Sequence, residues 1–296
     1  MKREHLIQCC GAKVRIHGKR IEVLGEPRIH NCPLHESFYG FKVIDKKAVE
    51  KTVEVKMRTH GFCCQHRAFS DAMVVPYGAS EIIRTCMEAK LLDCAVLVCE
   101  GAGTVITSNP SLVQGIGAHL TGIIETSPIK KIIQHIKAND GSILDEPSAR
   151  IDQTKGFQKA AEIGFKKIAV TVAGFHAKHI TKIRRLEKKS GVEATIFSVC
   201  NTCITAEDTR HIENADIVTA SASKIIREQL GSKATMQLGV GIPVFALTDR
   251  GKKTMLTHLI KFDQKIVAFR AHLPYIVEQR APTLKKHSSS KMKTKS

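Results

Sequence analysis

Short apolar runs alternate with amphipathic segments between residues 77 and 261. The runs 92–98, 167–172 and 192–199 are apolar blocks of strand length, rich in β-branched residues. The segment 177–190 instead places apolar residues three or four positions apart, which is the spacing of one helix face. This alternation predicts βαβ units, and therefore an α/β fold with a mostly parallel sheet covered by helices.

The first sixty residues follow a different pattern. Residues 12–24 alternate around His17 and Gly18, which predicts a β-hairpin with glycine at its turn, and residues 45–57 predict a helix. No apolar stretch reaches the roughly 20 residues of a membrane span, and the N-terminus lacks the apolar centre of a secretory signal. The predicted division is an N-terminal hairpin-and-helix lobe, an α/β domain and a disordered basic tail, at residues 1–60, 61–280 and 281–296.

Composition narrows the classes of partner and the compartment. The net charge is +18, which suits an anionic partner such as nucleic acid. That charge is spread along the chain, and the absence of Trp with only three Tyr disfavours a stacking platform for single strands. A nucleic-acid partner is therefore not favoured, and a basic tail that tethers the chain to a large enzyme complex stays an alternative. Ten cysteines without the spacing of a small secreted scaffold indicate reduced thiols in the cytoplasm.

The C-x-x-C sequence Cys200-Asn-Thr-Cys203 is the sharpest chemical signal. It follows the strand 192–199, so it lies at the carboxyl end of that strand. Two thiolates at this spacing bind a metal ion or an iron–sulfur cluster, or they cycle as a redox dithiol, and chance is the third interpretation. A complete metal site needs two further ligands. The metal-ligand prediction, for an iron–sulfur cluster or zinc, comprises Cys32, Cys63, Cys64, Cys200 and Cys203.

A glycine-rich run follows the strand 92–98 and predicts a ligand site. Ligands of open α/β sheets lie at the carboxyl ends of strands, where glycine lets the backbone approach them. Neither the third glycine of a dinucleotide loop nor the lysine of an ATP loop is present, so we expect a small anionic ligand at a strand-to-helix turn, or plain tight turns. Glu100 is the candidate general acid or base. The predicted ligand-binding residues are Cys99, Gly101, Gly103, Thr104, Gln114, Gly115, Gly117, Ser221 and Ser223.

Seven short phrases carry a family resemblance. They are Cys32-Pro-Leu34, Gly78-Ala-Ser-Glu-Ile82, Cys99-Glu-Gly-Ala-Gly-Thr-Val105, Leu112-Val-Gln-Gly-Ile-Gly117, Ala149-Arg-Ile-Asp-Gln153, Ala169-Val-Thr-Val172 and Asp216-Ile-Val-Thr-Ala220. In this order they resemble the family called methanogenesis marker protein 8. The resemblance implies a cytoplasmic, anaerobic setting in archaea and a link to one-carbon metabolism, but it supplies no catalytic residue. The C-x-x-C departs from the family pattern, so the resemblance implies no family-wide cluster there.

A second similarity covers residues 61–98. Cysteines followed by Tyr77-Gly-Ala-Ser-Glu81 and the run 91–98 are similar to the start of the flavin subunits of deazaflavin-reducing hydrogenases. Those subunits carry iron–sulfur ligands ahead of such a segment, although the cysteine spacing here differs. Three functions are consistent with these patterns: a metal- or iron–sulfur-binding accessory or redox protein, an α/β enzyme with a small anionic ligand, and an assembly factor for a large enzyme complex.

Overall fold

The computed structural model of the chain describes residues 4–118 and 122–285. Within these ranges eight strands form a central sheet, whose four middle strands run parallel and whose edge strands are antiparallel. The predicted α/β class with a mostly parallel, helix-covered sheet is confirmed. Across the sheet the strands are β12 (Met236–Leu238), β13 (Val244–Ala246), β11 (Ile217–Thr219), β10 (Glu193–Val199), β9 (Lys167–Ala173), β5 (Cys94–Cys99), β6 (Gly103–Thr107) and β8 (Gly141–Ile143).

Helices cover both faces of this sheet because its central strands are apolar on both sides. Leu97 and Ala169 belong to the core on one face, and Val96 and Val170 to the core on the other. The helices of the first face are α3 (Ala79–Glu88), α4 (Pro110–Gly117), α5 (Lys130–Ala138) and α9 (Asp249–Lys261), and those of the second are α6 (Gln153–Ile163), α7 (Lys178–Ser190) and α8 (Ala206–Ile212).

A second, antiparallel sheet is built mainly from the N-terminus. Among the described residues its four strands lie in the order β3 (Arg20–Val23), β2 (Ala12–His17), β1 (Glu4–Cys9) and β7 (Gly122–Thr126). Helix α2 (Lys46–His60) packs against this sheet. Ile7, Val14 and Ile16 point inward and form a core with residues of α2. The predicted hairpin with Gly18 at its turn is confirmed.

The N-terminal sheet differs from the sequence prediction in two respects. The alternation of 4–9, which forms β1, was missed, and the sheet takes its fourth strand from 122–126 in the middle of the chain. The division into domains stays a prediction, and residues 286–296 of the predicted tail lie outside the described residues. Three short elements complete this part of the fold: β4 (Ile29–Asn31), α1 (Pro33–Tyr39) and β14 (Thr283–Leu284), with β14 paired to β4.

In the ranges 4–118 and 122–285, no helix combines the length and the apolar character needed to cross a bilayer. The cytoplasmic location stays a prediction.

The glycine-rich run after β5 is the turn of a β-hairpin. β5 pairs antiparallel with β6, and Cys99 lies opposite Gly103. The expected strand-to-helix turn is therefore wrong. A Cβ at Gly101 would lie 2.9 Å from Ile129, and one at Gly103 would lie 2.2 Å from the carbonyl oxygen of Ala149. Close packing of the chain against itself accounts for both glycines.

Replacing Gly103 by alanine should destabilise the fold by about 3 kcal/mol, because the φ of +73° and the clash with Ala149 act together. Gly18→Ala is the matched control: its φ is +59° but no atom lies within 4 Å of the added Cβ, so about 1 kcal/mol is expected. Denaturant unfolding of both variants measures the difference. Equal losses would show that the contact with Ala149 does not constrain the hairpin.

Candidate functional site

Glu100 lies in a closed environment at the end of β5. Its carboxylate accepts a hydrogen bond of 2.5 Å from Arg67 Nε, and the two side chains are 0% and 1% exposed. Arg67 also donates to the carbonyl oxygens of Gly115 and Ile116, at 3.1 and 3.2 Å, where α4 ends. Glu100 therefore anchors the segment after α2, an arrangement that does not resemble a general acid or base open to substrate.

Cys99 and Cys63 flank this ion pair. Burial and the neighbouring Glu100 carboxylate raise the pKa of both thiols well above the ordinary value. The Cys99 Sγ lies 3.8 Å from Glu100 Oε2. Both cysteines are therefore protonated, inert thiols at neutral pH, in contrast to reactive thiolates.

The remaining predicted ligand-binding residues are held by local packing. Thr104 donates to Gln153 at 2.9 Å and Gln114 donates to Glu81 at 3.1 Å, both between buried side chains. A Cβ at Gly117 would lie 2.5 Å from the Cβ of Ser80, and one at Gly115 would lie 3.1 Å from Phe69, which explains both glycines by close packing of α4.

The two predicted serines follow β11, and each accepts a hydrogen bond from a backbone N–H group. The Ser221 hydroxyl accepts from the Asn201 N–H at 3.1 Å, and the Ser223 hydroxyl accepts from the Ile226 N–H at 3.3 Å, which is the role of a helix cap. The fully buried Asn201 donates to the carbonyl oxygens of Ser198 and Thr219. Asn201, which no sequence motif singles out, secures the C-x-x-C loop. The predicted ligand residues are thus engaged by contacts within the fold, and ligand binding by them stays a prediction.

The five predicted metal ligands are not gathered at one site. Cys63, next to Cys64 in sequence, lies by the ion pair, Cys32 is close enough to Cys10 to affect its pKa, and Cys203 Sγ is exposed 3.8 Å from the carbonyl oxygen of Gly11. Over residues 4–118 and 122–285, no three His, Cys, Asp or Glu side chains are arranged to hold one metal ion. The iron–sulfur or zinc site stays a prediction without support from this geometry.

Two of these ligands, Cys32 and Cys200, belong with Cys9 and Cys10 to a group that we call the thiol centre. Cys9, Cys10 and Cys32 pack in the core of the N-terminal sheet. The charge of Lys56 in α2 favours the thiolate forms of Cys9, Cys10 and Cys200, although burial raises the pKa of Cys200 to about 11. The segments that supply these residues meet where the N-terminal sheet covers the carboxyl ends of β9 and β10. Gln8 of β1 donates to the carbonyl oxygen of Thr202 at 2.8 Å. The thiol centre consists of Cys9, Cys10, Cys32, Cys200 and Lys56.

Cys9 and Cys10 form the tightest thiol pair of this centre. Cys9 lies opposite Ala12, so Cys10 and Gly11 are the two residues of the hairpin turn between β1 and β2. Their φ values are +50° and +81°, as a type I′ turn requires, and asparagine followed by glycine is the usual choice there. The two Sγ atoms lie 3.9 Å apart. A Cys-Gly turn between alternating residues is a signal that the sequence itself contains.

The two thiols of the pair differ in acidity. The hydrogen bond from the Cys10 thiol and the charge of Lys56 lower the pKa of Cys9 although the side chain is buried. The same hydrogen bond, together with burial, raises the pKa of Cys10. Cys9 is thus the more acidic thiol of the pair.

Positive φ values concentrate on the cysteines. In the described part of the chain eight residues other than glycine have positive φ, and four of them are Cys10, Cys63, Cys200 and Cys203. Such backbone costs on the order of 1 kcal/mol or more per residue and persists where the surroundings impose it, often at functional sites. Two of these strained cysteines belong to the thiol centre, which makes it the strongest candidate site.

Comparison with known proteins identifies related chains without a described activity. Residues 5–260 match the model of a family described as an uncharacterized protein conserved in archaea (DUF2099). A relative from Methanocaldococcus jannaschii, the uncharacterized protein MJ0054, is 36% identical over 282 residues, which cover 95% of this chain and 99% of that protein. The archaeal part of the resemblance is confirmed, and its assignment to methanogenesis marker protein 8 stays a prediction.

Replacing Arg67 alone should destabilise the fold much more than replacing Arg67 and Glu100 together. Arg67→Met leaves a buried carboxylate without its cation, and we expect a loss of about 3–5 kcal/mol in the free energy of unfolding. Adding Glu100→Gln should recover a large part of this loss, as denaturant unfolding would show. Lys137→Met, which breaks an exposed pair with Glu146, is the control and should change stability little. A double variant no more stable than the single one would contradict this account.

The alkylation rate of Cys9 should rise with pH through a midpoint below the ordinary thiol value of 9.0, because the thiolate is the reactive form and its pKa is lowered. Lys56→Met should move the midpoint upward and slow the reaction at neutral pH. Lys51→Met removes an exposed charge of the same helix and should leave the midpoint unchanged. Mass spectrometry of the Cys9 peptide follows the reaction. A midpoint that Lys56→Met does not move would remove Lys56 from the thiol centre.

Proposed function

We propose that this chain, which belongs to the uncharacterized archaeal family DUF2099, is a thiol-redox protein that uses Cys9 and Cys10 as its exchanging pair. The observation that carries the proposal is the hairpin turn, which holds two sulfur atoms 3.9 Å apart. The charge of Lys56 supports it by lowering the pKa of Cys9. A structural turn at this position requires no thiol, because asparagine or glycine adopts it at lower cost.

The exchange partner that we propose is a disulfide of a protein or of a low-molecular-weight thiol. One disulfide and the two thiols of the pair give two partner thiols and one Cys9–Cys10 disulfide, so two electrons and two protons pass to the partner. In the reverse direction a partner thiolate attacks the half-buried Cys10, and Cys9 leaves as a thiolate. A leaving thiol of low pKa leaves faster, and the charge of Lys56 contributes to this by favouring the Cys9 thiolate.

The geometry of adjacent cysteines makes the oxidised pair easy to reduce. Neighbouring Cα atoms are about 3.8 Å apart, below the usual separation of about 4.4–6.8 Å across a disulfide. The oxidised state therefore stores strain and gives up its disulfide readily, which suits a carrier better than a structural crosslink. The anaerobic one-carbon metabolism implied by the family resemblance is the setting that we propose for this activity, since a strained pair stays reduced there.

The reduced protein, treated with 2-hydroxyethyl disulfide as the partner, should lose the mass of two hydrogen atoms in the peptide that holds Cys9 and Cys10. Phenylarsine oxide, which bridges close dithiols, should bind the same pair and block the exchange. Cys9→Ser and Cys10→Ser should each abolish both effects. Mass spectrometry after rapid alkylation measures the products.

The chain offers its own matched control in the second adjacent pair, Cys63 and Cys64. Cys63 lies beside Glu100 with a raised pKa, so this pair should stay reduced, and Cys64→Ser should exchange at the rate of the unaltered protein. Disulfide formation at Cys63–Cys64, or none at Cys9–Cys10, would overturn the proposed function.

A further inference from the structure

Exposed large apolar side chains are concentrated in one stretch of the chain. Over residues 4–118 and 122–285 thirteen such side chains are exposed, and six of them lie between positions 256 and 275. Single exposed apolar residues are ordinary on a protein surface, whereas a dense group of them marks an interaction site. The group consists of Leu256, Ile260, Ile266, Val267, Phe269 and Tyr275.

The loop 263–274, which follows α9, is anchored at both ends. Before it, the ring of Phe262 packs with its centroid 5.7 Å from that of Tyr77. After it, the Gln237 side chain of β12 accepts from the Tyr275 N–H at 2.9 Å and donates to the Tyr275 carbonyl oxygen at 2.6 Å. Every position from 263 to 272 is exposed. The loop is thus tied to the fold at its two ends while its middle faces solvent.

An apolar run, Ile266-Val-Ala-Phe269, forms the middle of this loop. Val267 is 86% exposed and Phe269 is 62% exposed. The Phe269 ring meets the ring of Tyr275 edge-on, with centroids 5.2 Å apart, which orients it without burying it. Lys265 precedes the run and Arg270 follows it, so a cation lies at each end of the apolar side chains.

Helix α9 continues the same combination of apolar and basic residues. Lys252, Leu256 and Ile260 are four positions apart and therefore share one helix face. Leu256 is 44% exposed and Ile260 is 80% exposed. Residues 252–275, which we call the basic–apolar segment, contain five Lys or Arg and one acidic residue, Asp263.

The composition of this segment selects among partners. Its run is mainly aliphatic, and aliphatic side chains supply neither the stacking rings nor the hydrogen-bonding groups that recognise nucleic acid. Apolar side chains that enter the boundary between headgroups and acyl chains, with Lys and Arg beside the lipid phosphates, are typical of peripheral membrane contacts. Charge complementarity therefore favours a surface of anionic lipid.

We propose that the basic–apolar segment docks this protein on anionic lipid, with Val267 and Phe269 in the interface and Lys265 and Arg270 at the phosphates. The backbone of the loop stays at the depth of the headgroups, because its N–H and C=O groups would lack partners in the hydrocarbon core. The contact involves neither Cys9 nor Cys10, so it adds to the proposed function without resting on it.

Tryptophan fluorescence tests where the segment goes, since the chain itself contains no Trp. Val267→Trp in the full chain should emit at shorter wavelength when vesicles of phosphatidylcholine and phosphatidylglycerol are added, and brominated acyl chains should quench it, because the indole enters the interface. Val43→Trp is the matched control. Val43 is 55% exposed, follows Lys42 and precedes Ile44 of the N-terminal core, and its variant should show neither effect.

Cosedimentation with the same vesicles measures the affinity. Phe269→Ala should weaken binding about tenfold, and Lys265→Gln with Arg270→Gln should weaken it about fivefold per charge removed. These side chains are exposed, so the free energy of unfolding should change little. Lys42→Gln with Lys47→Gln removes the same charge elsewhere on the surface and should weaken binding much less.

Four results would overturn the proposal. Equal binding to pure phosphatidylcholine would remove the anionic headgroup from the contact, and no binding to either vesicle would remove lipid altogether. Binding without an emission change at Val267→Trp would mean that another basic part of the chain, such as residues 286–296, makes the contact. An emission change that grows with protein concentration in the absence of vesicles would assign the segment to a second copy of this chain.

Discussion

The buried Arg67–Glu100 pair connects the two halves of the structure. Glu100 directly follows β5 of the central sheet. Arg67 lies in the segment after α2, the helix that packs against the N-terminal sheet. Such a pair repays its desolvation only with additional hydrogen bonds, and Arg67 makes these with the carbonyl oxygens at the end of α4. The segment 61–67 cannot move away without leaving the buried Glu100 carboxylate unpaired, so the end of α2 is fixed in place. The position of Lys56, one turn before that end, depends on this constraint.

The central sheet could be predicted because its signal is local. The apolar run that forms β5 and the amphipathic spacing of α7 each identify their element without knowledge of any partner. The turn at Gly101 was misassigned because glycine after a strand serves a hairpin as well as a helix. The contact that requires glycine at position 103, the carbonyl group of Ala149, lies far away in sequence.

The thiol centre could not be assembled from the sequence for the same reason. Cys9, Cys32 and Cys200 come from separate segments, and their meeting depends on how the N-terminal sheet sits over the ends of β9 and β10. Lys56 reads in the sequence as one of many basic residues on an amphipathic helix. The two cysteines of the C-x-x-C have different surroundings, since Cys203 is exposed and Cys200 is half-buried.

The backbone preference of a residue conflicts with the observed structure at the turn that follows Cys9, where Cys10 has a φ of +50°. β1 and β2 are ordinary alternating strands, and Cys10 stands where asparagine would lower the backbone cost. Lys56 adds a second constraint, since its charge lowers the pKa of the buried Cys9 thiol. On the proposed chemistry, oxidation removes the thiol on which this charge acts, so the interaction with Lys56 favours the reduced pair. The exchange equilibrium then depends on the position of Lys56, and that position depends on the Arg67–Glu100 pair beyond the end of α2.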